Sequence, residues 1–193
     1  MISGSAFGYY GNRGDEELTE DSPPGDDFGA SVCVEWEAAT EAAGLAGVRV
    51  AHIRTGLVMG RDASLLKRLL LPFKLGVGGR IGSGTQYWSW IDIHDEIAAI
   101  RFLLDGEGLA GPFNLTAPNP VRFDEVKEVL GRILHRPTIL PVPSLAMKLL
   151  FGAERAESIV LAGQRVVPQR LVAAGFEFAF TDLEASLRHH LGR

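Results

Sequence analysis

Ser5, Tyr9 and Tyr10 fall within one short stretch, Met1-Ile2-Ser3-Gly4-Ser5-Ala6-Phe7-Gly8-Tyr9-Tyr10-Gly11. A serine hydroxyl can hydrogen-bond a substrate carbonyl or hydroxyl, and a phenol beside it can give or take a proton. The stretch reads as the end of a buried strand: Met1 and Ile2 are apolar, and the low bulk of Ser3 to Ser5 lets a flat ligand approach the backbone. In open α/β sheets ligands sit beyond the carboxyl ends of strands, where such residues would be placed. An ordinary strand-to-loop turn is the plainer alternative.

The elements that must position these groups follow in order. Gly11 to Asp27 carries Gly, Asp, Glu and Pro without an apolar period and predicts an exposed loop. Asp26 or Asp27 then caps a helix to about Ala43, stopped by Gly44, whose stripe of Phe28, Val32, Trp36, Ala39 and Ala43 serves the core or a dimer contact. Val48 to Gly56 is a β-branched strand ending Arg54-Thr55-Gly56, with His52 as a satisfied core histidine. A leucine-rich helix over 63–75 is expected to break near Pro72. Gly76, Gly79 and Gly82 then follow a helix and precede a strand, the wrong context for a dinucleotide-binding turn, and predict a loop at the substrate mouth.

In the strand 86–93, Gln86, Trp88 and Trp90 share a face and either wall a substrate pocket or pack a junction between lobes. Asp95 is expected to cap a helix over 95–105, with His94 and Asp95 not read as a catalytic pair. Gly111 to Thr116 reads as a strand, and Phe123, Val126, Val129, Leu130, Ile133 and Leu134 form the stripe of an amphipathic helix. Pro137 to Pro143 predicts an extended piece, the chain from Ser144 a helical region, and Asp182 the cap of a last helix. Arg165 and Arg170 read as solvated, with an anionic ligand as the alternative.

At 193 residues, 46% hydrophobic and 22% charged, the chain has the composition of a folded protein able to bury a core. The net charge of −5 with scattered basic residues argues against a nucleic-acid partner, and no apolar run reaches the length of a membrane span. Cys33 stands alone, which excludes a disulfide framework and a thiolate metal site, so no metal is assigned and a cytoplasmic location is expected.

Ser-Gly-Ser-Ala-Phe-Gly-Tyr-Tyr-Gly, followed by Leu18-Thr19-Glu20-Asp21-Ser22-Pro23-Pro24, resembles the middle of an extended short-chain dehydrogenase/reductase. The likeness is to the atypical subgroup named NAD-dependent epimerase/dehydratase or epimerase family protein, and it covers essentially the whole chain. Val32-Cys33-Val34-Glu35-Trp36-Glu37, Trp90-Ile91-Asp92-Ile93-His94-Asp95 and Gly163 to Pro168 also resemble that subgroup, the last its C-terminal extension. The resemblance implies an α/β fold, namely the C-terminal part of a Rossmann-type doubly wound parallel sheet with a smaller, mainly helical substrate lobe. It also implies that Ser5 polarises a substrate oxygen and that Arg54, Thr55 and Gly56 lie near the nicotinamide of NAD or NADP. The family's Tyr-x-x-x-Lys pair is replaced by Phe28 and Val32, so Tyr10 or Tyr9 must supply a phenol, or Glu35 or Glu37 a carboxylate.

Residues 1–60 are thus expected to be the second half of a Rossmann-like domain, 61–142 a substrate lobe with returning sheet elements, and 143–193 a helical extension. The Gly-rich dinucleotide turn would lie before Met1, so the chain is expected to be part of a longer protein or a truncated form. The function implied is that of an NAD(P)-dependent oxidoreductase or epimerase-like protein acting on a small substrate, the alternative being a non-catalytic nucleotide- or ligand-binding relative that works through partner assembly. A homodimer through helix 28–43 is the expected assembly.

Overall fold

A computed structural model describes residues 1–138 and 163–193. Strand β1 (Ile2–Ala6) runs into a 3₁₀ turn over Phe7–Tyr10, followed by the short β2 (Glu17–Leu18) and helices α1 (Phe28–Ala38) and α2 (Glu41–Leu45). Then come β3 (Ala51–Thr55), β4 (Leu57–Met59), α3 (Ser64–Lys74), β5 (Tyr87–Trp88), β6 (Trp90–Asp92) and α4 (Ile93–Asp105). The chain continues through β7 (Gly111–Leu115), β8 (Val121–Arg122) and α5 (Phe123–Leu134), and the segment from 163 holds β9 (Arg165–Val166), α6 (Gln169–Ala173) and α7 (Leu183–Leu191).

Parallel strands in the order β1-β3-β7 form the main sheet of a Rossmann-type α/β fold. Its register aligns Ser5, Arg54 and Asn114 in one row and Ala6, Thr55 and Leu115 in the next. Because side chains alternate along a strand, these adjacent rows face opposite sides of the sheet. Helix α1 packs on β1 and the 3₁₀ turn, while α4 packs against β1, β3 and β4. The strands expected at the opening stretch, over Val48 to Gly56 and over Gly111 to Thr116 are these three.

Two apolar clusters hold the layers together. Ala51, Ile91, Ala99, Leu103, Phe113, Leu115 and Leu171 fill the space between the sheet, α4 and α6. Tyr10, Leu57, Phe73, Trp88, Trp90, Phe123 and Leu130 belong to a larger cluster that α3, α5 and α7 close as a mainly helical lobe. Alternation along β6 sends Trp90 into one cluster and its neighbour Ile91 into the other. Gly56 joins β3 to β4 where a Cβ would meet Ser89 O at 2.5 Å and Thr116 Cγ2 at 2.9 Å, so the close approach of three segments requires glycine there.

Several local expectations change. Asp27 does cap α1 by accepting from Ala30 N at 2.8 Å, but the helix stops at Ala38 and restarts as α2. Its break falls where Thr40 Oγ1 donates to Glu37 O at 2.8 Å and meets His52 Nε2 at 2.7 Å, so a side chain bonds the backbone at the boundary. The stripe is no core face: Phe28 and Trp36 are exposed, and the helix buries Ala30 and Cys33 instead. Helix α3 continues through Pro72, anchored by buried Leu66, Leu69, Leu70 and Phe73. The expected strand 86–93 is split at Ser89, whose Oγ donates to Gln164 O and accepts from Val166 N, tying it to β9 instead.

Asp92, not Asp95, caps α4, accepting from His94 N at 2.9 Å. Asp95 instead accepts from Ala179 N and Phe180 N and fastens the chain before α7. Asp182 caps α7 through Ala185 N at 2.8 Å, as its sequence position predicts. The helical start expected from Ser144 and most of the Pro137–Pro143 piece lie outside the described residues.

Candidate functional site

The row Ser5, Arg54, Asn114 faces α1 and builds a buried polar network. Ser5 Oγ donates to Glu37 Oε1 at 2.8 Å, and Arg54 grips the same carboxylate with Nε and one terminal nitrogen, both at 2.8 Å. The other terminal nitrogen of Arg54 donates to Tyr10 Oη at 2.9 Å, and Tyr10 Oη donates in turn to Asn114 Oδ1 at 2.6 Å. Arg54 also lies over the Tyr9 ring, 3.4 Å from its centre. Glu20 completes the network by accepting from Asn114 N and Arg170 N. Burial works against charge on Glu37, but hydrogen bonds from Arg54 and Ser5 and the guanidinium charge outweigh it and hold the carboxyl below its ordinary range.

The structure places three of the candidates, Ser5, Tyr10 and Arg54, in this network. Tyr10 is fully buried, and desolvation pushes its phenol up to about 12, so it has neither access nor acidity for proton exchange with a ligand. Arg54 is spent on Glu37 and Tyr10 and is 3% exposed. Ser5 donates its hydroxyl hydrogen bond to Glu37, and at the end of β1 it is Ala6 and Phe7, rather than Ser5, that line the neighbouring cleft. The signal was present in the alternation of the strand, but choosing the face needed the register with β3 and β7.

That cleft, of about 1030 Å³, opens at the carboxyl ends of β1 and β3. Ala6, Phe7, Leu57 and Val58 give it an apolar wall, while Arg61, Asp62, Ser64 and His94 bring polar groups to it. Thr55 and Gly56 line it, so two of the three cofactor candidates are placed together there. Thr55 Oγ1 donates to Glu96 Oε1 at 2.9 Å, a partner that sequence reasoning missed because it lies 41 residues away. Glu96 is buried, its Oε2 has no hydrogen-bond partner among the described residues, and desolvation pushes its carboxyl up to about 7. A carboxyl with that affinity for protons can take or release one near neutrality, and it is hydrogen-bonded to Thr55, which lines the cleft.

Gln86, Trp88 and Trp90 line a different place. All three are buried: Gln86 donates to Ile81 O, Trp90 Nε1 donates to Asn119 O, and both indoles sit in the larger apolar cluster. They pack the junction between sheet and lobe rather than the cleft wall. Arg170 binds the carbonyls of Ala110 and Pro112 and lies over Phe113, so it secures the end of β7. Arg165 pairs with Glu17 across β2 and β9. The glycine loop over 76–84 follows α3 and leads to β5, as its sequence context predicts.

The cleft volume is of ligand-binding size, and its lining joins an apolar wall to a few polar groups. Among the described residues no strand leads through a Gly-rich turn into a helix that could receive a pyrophosphate.

Comparison with known proteins gives concordant results. A family described as "Domain of unknown function (DUF1731)" matches residues 142–190. Epimerase family protein Mb2239 of Mycobacterium bovis is 44% identical over 178 residues, which are 92% of this chain and 59% of that protein. The structure of human epimerase family protein SDR39U1 (isoform 2) with NADPH superposes with a TM-score of 0.88 at 34% identity, over 100% of this chain and 65% of that one. A nucleoside-diphosphate sugar epimerase from Corynebacterium glutamicum gives 0.80 at 39% identity, over 100% of this chain and 37% of that chain. The chain therefore spans about three fifths of the length of the curated relatives it matches.

Proposed function

From this homology to epimerase family proteins, we propose that the chain supplies the substrate side of an NAD(P)-dependent epimerase-like protein acting on a small molecule in the cleft at the ends of β1 and β3. The observation that carries the reading is the likeness, along the whole chain, to the human relative solved with NADPH, together with a cleft at the strand ends where Thr55 and Gly56 meet an apolar wall. Bound NAD(P) would supply or accept a hydride. Ala6, Phe7, Thr55 and Gly56 would hold its nicotinamide end by contact with the apolar wall.

The chain's own contribution is to exclude water and to handle a proton. Leu57, Val58 and Phe7 shield the cleft floor, and the Thr55 hydroxyl orients a substrate oxygen while Glu96 behind it holds or takes a proton. The Ser5–Glu37–Arg54–Tyr10 network keeps the strand ends in register from the opposite face, so its residues position the site without touching the ligand. This reading replaces Ser5 and the tyrosines with Thr55 and Glu96 as the groups acting on substrate.

Titration of NADPH and NADH, followed by cofactor fluorescence, tests the assignment on the protein that contains this chain. Saturable binding of one cofactor, with substrate-panel turnover lowered in Thr55→Val and cofactor affinity kept, is the expected result. No binding of either cofactor would overturn it.

A further inference from the structure

We infer that Asp92, His94 and His190 form a binding site for a divalent transition metal of the zinc class on the wall of the cleft. This inference rests on the side-chain cluster and is independent of the NAD(P) assignment. Asp92 ends β6 and caps α4, His94 stands in the first turn of α4, and His190 comes from the far end of α7. Two parts of the chain nearly a hundred residues apart thus aim two imidazoles at one carboxylate: His94 Nδ1 lies 2.8 Å from Asp92 Oδ1 and His190 Nε2 lies 2.9 Å from Asp92 Oδ2.

Each of the three residues offers one ligand atom, and these atoms all lie within 4.8 Å of one another. Ligands held about 2.0–2.1 Å from zinc lie roughly 3 to 3.4 Å apart, so the set, spread within 4.8 Å, must draw in for an ion to replace the two hydrogen bonds that now join the imidazoles to separate oxygens of Asp92. Of the three, His94 has the exposed side chain, 56% accessible, and is the ligand best able to adjust. Imidazole and carboxylate are the donor types zinc and its neighbours accept. Ser186 Oγ donates to Asp92 Oδ2 and fixes the carboxylate from behind, the supporting bond expected of a metal-ligating carboxylate.

His94 and His190 also line the cleft. Three protein ligands with the fourth side open to a cavity correspond to a site that can take a water or a substrate oxygen, whereas a purely structural zinc site is closed by four protein groups. The rings of His94 and His190 are stacked, 5.5 Å apart and 7° from parallel. His189, exposed and 5.2 Å from each of the other two rings, is the neighbour that a loosely held surface ion would use instead.

The test is calorimetric titration of ZnCl₂ into the metal-stripped chain, paralleled by the visible spectrum of Co²⁺ in its place. One zinc bound per chain at micromolar affinity or tighter is expected, with visible Co²⁺ bands from nitrogen coordination. His94→Ala removes an exposed side chain, so circular dichroism should stay native while affinity falls about a hundredfold or more. His135→Asn keeps the left-handed backbone at a distant histidine and should bind zinc as the parent does. Absence of binding, or a His94→Ala chain that binds as well as the parent, overturns the assignment. So does loss of binding in His189→Ala alone, which places the ion on the surface histidines.

Discussion

Replacing Glu96 by Gln should make the chain more stable at alkaline pH and leave it unchanged in acid. Glu96 is buried and, among the described residues, takes one hydrogen bond, from Thr55, and its carboxyl is pushed from 4.5 up to about 7 by desolvation. Between those two values the folded chain binds a proton that the unfolded chain has released, so stability falls as pH rises through that window. Below the unfolded value both states are protonated and the effect vanishes; above about 7 it is complete. Each pH unit between the two values is worth about 1.4 kcal/mol, so at about pH 8 the ionised Glu96 costs the fold about 3 kcal/mol. Gln keeps the acceptor for Thr55 and cannot ionise. Urea denaturation of both forms across the range isolates this group, because all other titrations cancel in the difference. Glu96→Gln should match the parent near pH 4.5 and exceed it by about 3 kcal/mol near pH 8. A gap that stays constant with pH would show that Glu96 ionises as if in water, and the proton role assigned to it behind Thr55 would fail with it.

The opposite face of the sheet yields contrasting expectations. Arg54→Met leaves the partly buried Glu37 carboxylate with only its Ser5 hydrogen bond and should cost about 2–4 kcal/mol in denaturant melts, whereas the double change to Met and Leu should recover most of that. Since Glu37 is held below its ordinary range, its contribution is present at neutral pH and is lost as acid titrates it, which Glu37→Gln should abolish. Trp36→Glu changes an exposed side chain and should move stability by less than about 0.5 kcal/mol. If α1 is a contact between copies, the same substitution lowers the mass seen by sedimentation; an unchanged mass removes helix 28–43 as the dimer face.

Much of the architecture was legible because its determinants are local. The β-branched run before Gly56, the caps at Asp27 and Asp182, and the apolar period of α5 each follow from a few adjacent residues. The site was less legible because it depends on register. Whether Ser5 or Ala6 meets the cleft is decided by pairing with strands 49 to 109 residues away, and that pairing turns Ser5, Arg54 and Asn114 together toward Glu37. Thr55 could be picked out by its place at a strand end, but nothing nearby announces Glu96. Likewise, Trp88 and Trp90 alternate as pocket-wall residues would, yet the helices that cover them come from α3 and α5. Asp92 and Asp95 are both plausible caps by type, and only the contact of Asp95 with the backbone at 179 and 180 separates their roles.

The most direct test of the central claim is a structure of the NADPH-bound protein containing this chain. The account predicts the nicotinamide in the cleft at the ends of β1 and β3, within about 4.5 Å of Thr55 or Gly56 and packed on the apolar wall. A nicotinamide seated elsewhere, such as against the loop over 76–84, with the cleft left to solvent, would contradict it.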